Sequence, residues 1–257
     1  MHKDVLFQAY FNACQVVLGP VGMPPSDYNP YGFSKNQAGF GTFGDPHFAA
    51  AVAEVATRAL KAVWYQKWFV HRRLRPEAYG GLVYHRMNGV DYPVHPDVLN
   101  SQAVDEVRRN YGSHLLSQAF PEGSPLHPSY GAGHATVAGA CVTILKALFC
   151  ETYVIPEPMV PSNDGLRLEL YQGPDADRMT LGGELNKLAA NIAMGRNFAG
   201  IHWRSDYAES LRLGEQVAIH LLTDQRPHSA SASMALHLRS LTVPSSRYSR
   251  GQNNQAQ

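Results

Sequence analysis

The sequence predicts an all-α fold, an antiparallel bundle of helices, from three observations. Long stretches with apolar residues at helical spacing alternate with long irregular stretches. No run alternates apolar and polar residues as a half-buried strand would. No internal repeat divides the chain, and 257 residues at 44% hydrophobic suffice for one sizeable core.

In chain order, the first helix runs from about Asp4 to Leu18. Residues 19–47 contain Gly19-Pro20, Met23-Pro24-Pro25 and Asn29-Pro30, and read as an extended loop. A long helix rich in Ala and Val follows, from about His47 to Leu74. Pro76 stops it, because a proline disfavours the helical conformation at the residue before it. Residues 77–101 read as loop, with a short helix near 102–118. The proline-containing stretch from Phe120 to Gly133 leads through a glycine-flanked turn into a helix from His134 to about Phe149. Residues 151–181 read as an insertion. A helix from about Gly183 to Arg196, a break at Ala199-Gly200 and a last helix from about Trp203 to Thr223 complete one domain over residues 1–225. Residues 226–257 are rich in Ser, Asn and Gln and read as a polar tail, an arm or a contact to another subunit.

With 22 basic and 21 acidic residues, the chain lacks the lopsided charge of a nucleic-acid or acidic-membrane binder, so functional charge must be local. The most apolar stretch, Ala135 to Cys150, is too short for a membrane span and is interrupted by Lys146. Met1-His2-Lys3-Asp4 lacks the apolar run and small-residue cleavage site of a signal peptide, and the compartment stays open. Three cysteines make no disulfide framework, and Cys141 reads as core.

Three blocks carry chemistry. In the first, Trp64 through Pro76, the residues Lys67, His71 and Arg75 step by four and share a helix face with Trp64. Taken alone, the block also fits a solvated basic face near a helix C-terminus. In the second, His127-Pro-Ser-Tyr-Gly-Ala-Gly133-His134, glycines before a helix let backbone N–H groups approach an anion at the positive helix end. His134 could trade protons with that anion near neutral pH; an ordinary glycine turn fits too. The third block runs from Gly195-Arg196 through Gly200 to His202 and Asp206. The glycine break lets Arg196 and His202 turn inward together, which a continuous helix would forbid. Asp206, four residues after His202, could hold one imidazole nitrogen and leave the other a fixed ligand or nucleophile. It could equally be a capping residue beside a packed histidine. Together the blocks offer three cations, Lys67, Arg75 and Arg196, that suit a phosphate-like trianion.

These blocks, in this order, resemble the signature joining vanadium-dependent haloperoxidases with type 2 phosphatidic acid phosphatases. The resemblance extends from about Tyr10 to His220 and is closest to algal-type and bacterial bromo- or iodoperoxidases, which share the eight-residue step from Lys67 to Arg75. It implies a vanadate cofactor and no haem, with His202 as the single axial protein ligand to vanadium. Lys67, Arg75, Arg196 and the Gly133 N–H would hydrogen-bond its equatorial oxygens, and Asp206 would support His202. His134 would be the acid–base group toward hydrogen peroxide, Lys67 would polarise the bound peroxide, and Trp64 and His127 would line the halide pocket, His127 with a catalytic part. Implied partners are hydrogen peroxide, bromide or iodide and a small organic acceptor, and whether the chain forms a homo-oligomer stays open.

Two departures from the family pattern stand out. Ala132 occupies a position that is Ser in the signature, removing one hydroxyl donor. Family members often carry another helical half upstream, so the resemblance implies a fragment or an abbreviated form; Asp4 is a candidate partner of His134 and fits a helix-capping role equally well. Two rivals remain at this level. One is an acid phosphatase on the same scaffold, with His202 attacking phosphorus and His134 protonating the leaving group. The other is a non-catalytic helical fragment used in assembly. His127, the Lys67-to-Arg75 spacing and the absence of membrane helices count against the phosphatase.

Overall fold

The computed structural model describes residues 5–19 and 22–225. The predicted polar tail and Asp4 lie outside the described residues. Helix α1 (Gln8–Leu18) leads through the long loop to α2 (Asp45–Tyr65), and α3 (Pro76–Met87), α4 (Pro96–Leu99) and α5 (Gln102–Tyr111) follow. The centre is α6 (Gly133–Leu148), with α7 (Leu181–Phe198) and α8 (Arg204–Gln225) closing the bundle. Helix α6 packs against α1, α2, α7 and α8, and every residue from Ala135 to Leu148 is buried. Its predicted span is right to within a residue, because an all-round apolar helix belongs at the centre of a core.

The tightest seam is α6 on α8. A Cβ at Gly139 would collide with the Leu211 carbonyl, and one at Gly214 with the Thr136 carbonyl. Two backbones can approach this closely only where both helices lack a side chain. This seam fixes the N-terminal ends of α6 and α8, where the second and third sequence blocks lie.

Three predictions need correction. The helix expected from His47 to Leu74 is α-helical only to Tyr65. Residues Gln66–His71 then form a π-helical turn, Arg72 is left-handed at φ 44°, and Arg75 is extended at φ −72°, ψ 154°. Pro76 does disfavour helix at Arg75, but it also starts α3, since a proline suits the first helical position. The stretch 77–101 is therefore not all loop; Gly80-Gly81 lowers the helix propensity of α3 and masks it. In the insertion, β1 (Met159–Pro161) pairs antiparallel with β2 (Leu168–Leu170), a two-stranded hairpin on an otherwise helical fold. Among the described residues no helix is long and apolar enough to cross a membrane.

Candidate active site

Lys67 sits in the π-helical turn and is fully buried. Its Nζ donates to the carbonyls of Pro128 at 2.7 Å and Ser129 at 3.3 Å, and lies 5.8 Å from the Trp64 ring centroid. Burial, followed by the charge of Arg75, pulls its pKa down to about 7. Arg75, 6% exposed, spans the site. Its Nε donates to the His127 carbonyl at 2.9 Å, NH1 to the Ile201 carbonyl at 2.9 Å and to His202 Nε2 at 3.0 Å, and NH2 to His127 Nδ1 at 3.0 Å. Burial lowers its pKa to about 10; Asp206 opposes the fall and Arg196 adds to it. The first and third blocks therefore meet, although not by the helical periodicity that suggested it. His71, expected on the same face, is exposed and packs edge-on against Tyr130 at 4.5 Å. The π turn carries it out of phase with Lys67.

His202 follows the turn at Gly200 (φ +77°) and is buried. Its Nδ1 lies 3.0 Å from Asp206 Oδ2. An ionised carboxylate only accepts, so Nδ1 carries the proton and the Nε2 lone pair receives the Arg75 guanidinium. Burial, against the pull of Asp206 and with the help of Arg75 and Lys67, lowers the His202 pKa to about 4. Burial alone would raise the Asp206 carboxyl, but hydrogen bonds from His202, Ser129 and the Trp203 N–H hold it below its usual value.

Gly133 opens α6, and Ala132 caps it without any side-chain hydrogen bond. The Ala132 N–H instead donates to Ser210 Oγ at 2.8 Å, across the α6–α8 seam. His134, the next residue, lines a cleft of about 820 Å³ together with Arg196, Leu6, Phe120 and Ile192. His127 packs its ring 4.8 Å from that of Trp64. Burial, then the charges of Lys67, Arg75 and His134, push the His127 pKa down to about 4.

Sequence reasoning missed Arg73, Ser129 and Ser210. Arg73 and Ser129 both donate to Asp206. Nothing in the sequence sets Arg73 apart from its neighbours Arg72 and Arg75. Ser129 lies within the second block, which was the only signal for it.

The donor set fits a tetrahedral oxyanion. Mutually repelling cations depress one another's pKa values in a largely dry pocket, and an anion relieves that cost. Among the described residues no three His, Cys, Asp or Glu side chains converge as a cage for a bare cation.

Residues 47–228 match the family described as the VCPO second helical-bundle domain, and the chain belongs to that family. It is 46% identical over 249 residues to the vanadium-dependent bromoperoxidase of Corallina officinalis, an alignment covering 88% of this chain and 41% of that protein. It is 40% identical over 201 residues to the one from Ascophyllum nodosum, covering 72% of this chain and 35% of that protein. The homohexameric structure of the second vanadate-dependent bromoperoxidase of Ascophyllum nodosum superposes with a TM-score of 0.74 at 34% identity, over 86% of this chain and 41% of that one. The chain thus spans about two fifths of the length of these relatives, 41% for the Corallina protein.

Proposed function

We propose that this chain carries the vanadate site of a haloperoxidase that oxidises bromide or iodide with hydrogen peroxide, the hypohalous-acid equivalent then halogenating a small organic acceptor. The observation that supports this reading is Arg75 NH1 lying 3.0 Å from His202 Nε2, with Lys67 and Arg196 near enough for their charges and that of Arg75 to repel. Bound vanadate would act as a Lewis acid toward peroxide without changing oxidation state.

The residues divide the work between holding charge and moving protons. Lys67, Arg75 and Arg196 hold the anion's oxygens, with the Gly133 N–H at the positive end of α6 as a further donor. His202 offers its Nε2 as the one protein ligand, and Asp206 keeps the proton on Nδ1. His134 takes and returns the proton of the peroxide. Trp64 and His127 form the wall where halide approaches, and the depressed pKa keeps His127 neutral there. The same reading includes self-association, which is supported by the homohexameric relative. Residues 1–225 are proposed as the catalytic unit.

The deciding experiment loads the protein with vanadate, adds peroxide and titrates chloride, bromide and iodide separately. Vanadate-dependent turnover with bromide or iodide is expected. Inhibition of a phosphatase activity by orthovanadate, without halide oxidation, would overturn the reading.

A further inference from the structure

The carboxylate of Asp206 ties together all three segments that build the site. Its Oδ2 accepts from His202 Nδ1 at 3.0 Å, from the Trp203 N–H at 3.1 Å and from the Ser129 hydroxyl. Its Oδ1 accepts from Arg73 NH1 at 3.0 Å. The same NH1 reaches Ser205 Oγ at 2.7 Å, and the guanidinium lies over Trp203, 5.4 Å from the ring centroid. The Arg73 carbonyl accepts the Ser129 N–H at 2.9 Å, so these two residues hold each other through the backbone while both hold Asp206. Trp203 is itself pinned, its indole N–H donating to the Leu74 carbonyl at 2.9 Å.

The geometry separates two jobs. Asp206 is completely buried, whereas the Arg73 side chain is 42% exposed, so Arg73 closes the carboxylate from the solvent side without entering the pocket. The terminal torsion of a carboxylate is soft, and a carboxylate gripped at one oxygen can swing. Gripping Oδ1 from outside, while Ser129 and Trp203 grip Oδ2, leaves one orientation for the acceptor that His202 faces. A planar guanidinium that also stacks on Trp203 suits that task better than an ammonium, which lacks the fixed fork.

Given the oxyanion site proposed above, we infer that Arg73 is a positioning residue that acts through Asp206, with Ser129 as its partner, to hold the His202 imidazole with Nδ1 protonated and Nε2 facing Arg75. Arg73 touches neither the anion-binding side chains nor His202 among the contacts described above. Its effect is therefore on the orientation and tautomer of the histidine.

Two measurements on the full chain test this: side-chain 15N NMR of the histidines, and calorimetric titration with orthovanadate. They compare the unaltered chain with Arg73→Ala, Arg73→Lys and Ser129→Ala. The unaltered chain is expected to show His202 protonated at Nδ1. Arg73→Ala is expected to mix the two tautomers and weaken vanadate binding by up to about tenfold, at or below the low end of the roughly 10- to 100-fold cost of losing the group that directly holds a ligating histidine. Arg73→Lys keeps the charge but not the planar stack on Trp203 and recovers only part of both, and Ser129→Ala shifts them in the same direction as Arg73→Ala. Unchanged tautomer and affinity in Arg73→Ala would overturn the inference. So would equal losses in the Ala and Lys variants accompanied by a collapse in melting temperature, which marks a purely structural role. If the unaltered chain binds no vanadate while its His202 tautomer still responds to Arg73→Ala, the cofactor reading falls and the positioning role stands.

Discussion

Arg75 NH1 lies 3.0 Å from His202 Nε2, so a permanent cation donates to the lone pair of an imidazole whose other nitrogen is held by Asp206. A ligand taking that lone pair must draw the guanidinium onto itself. Arg75 is then a partner of the anion rather than of the histidine. Arg75→Lys keeps the charge and loses the fork that reaches His127 and His202 at once. Its vanadate affinity is expected to drop roughly tenfold or more, the worth of about 1.5–3 kcal/mol for a charge-assisted hydrogen bond. Equilibrium dialysis of vanadate against both proteins measures it.

Lys67 gives the site a pH dependence on the alkaline side. Its pKa of about 7 means that the anion-free protein loses this positive charge as pH rises through neutrality. A bound anion favours the protonated amine, so vanadate affinity is expected to fall as pH rises above about 7. Lys67→Met should bind weakly and lose that part of the dependence. Binding isotherms across the neutral range in both proteins decide the point.

Stability has an acid-side counterpart. His127 and His202 are both held to about 4, against an ordinary value of 6.5. As pH falls below 6.5 the unfolded chain binds these protons first, so stability drops between 6.5 and 4 and then levels off with respect to these groups. Melting temperatures should therefore fall through that window, and His127→Phe should flatten part of the slope.

Ala132 offers a gain of function. It caps α6 without a side-chain bond, at a buried position beside the proposed anion site. Ala132→Ser supplies an N-terminal cap worth about 1 kcal/mol and one more hydroxyl donor. The variant is expected to melt higher and to bind vanadate several-fold more tightly. Identical melting and binding would show that the missing hydroxyl has no consequence.

The α6–α8 seam sets a limit on core substitution. Gly139→Ala would drive a methyl group into the Leu211 carbonyl and is expected to cost about 1–3 kcal/mol, the range for overpacking. Because the seam also places Ser210 against Ala132, the loss should appear in vanadate affinity as well as in thermal melting.

Much of the bundle was legible because its strongest helices announce themselves. The all-round apolar run of α6 and the glycine break between α7 and α8 needed no tertiary information. The π turn at Gln66–His71 was not legible, since its sequence reads as continuous helix and the departure depends on where Lys67 must go. The pairing of His202 with Asp206 followed from a step of four. The grip of Arg73 on Asp206 joins positions 133 residues apart, and no local pattern encodes it. Helix α3 was hidden by its own glycines. The sequence reads Lys67 and Arg75 as sharing one helical face, yet the chain leaves the helix between them.

The turn at Gln66–His71 amounts to one extra residue wound into the end of α2, followed by a short extended bridge to α3. Such a place can absorb a length change without shifting the register of the core. A residue gained or lost there would change the span between Lys67 and Arg75 while the bundle around it keeps its packing.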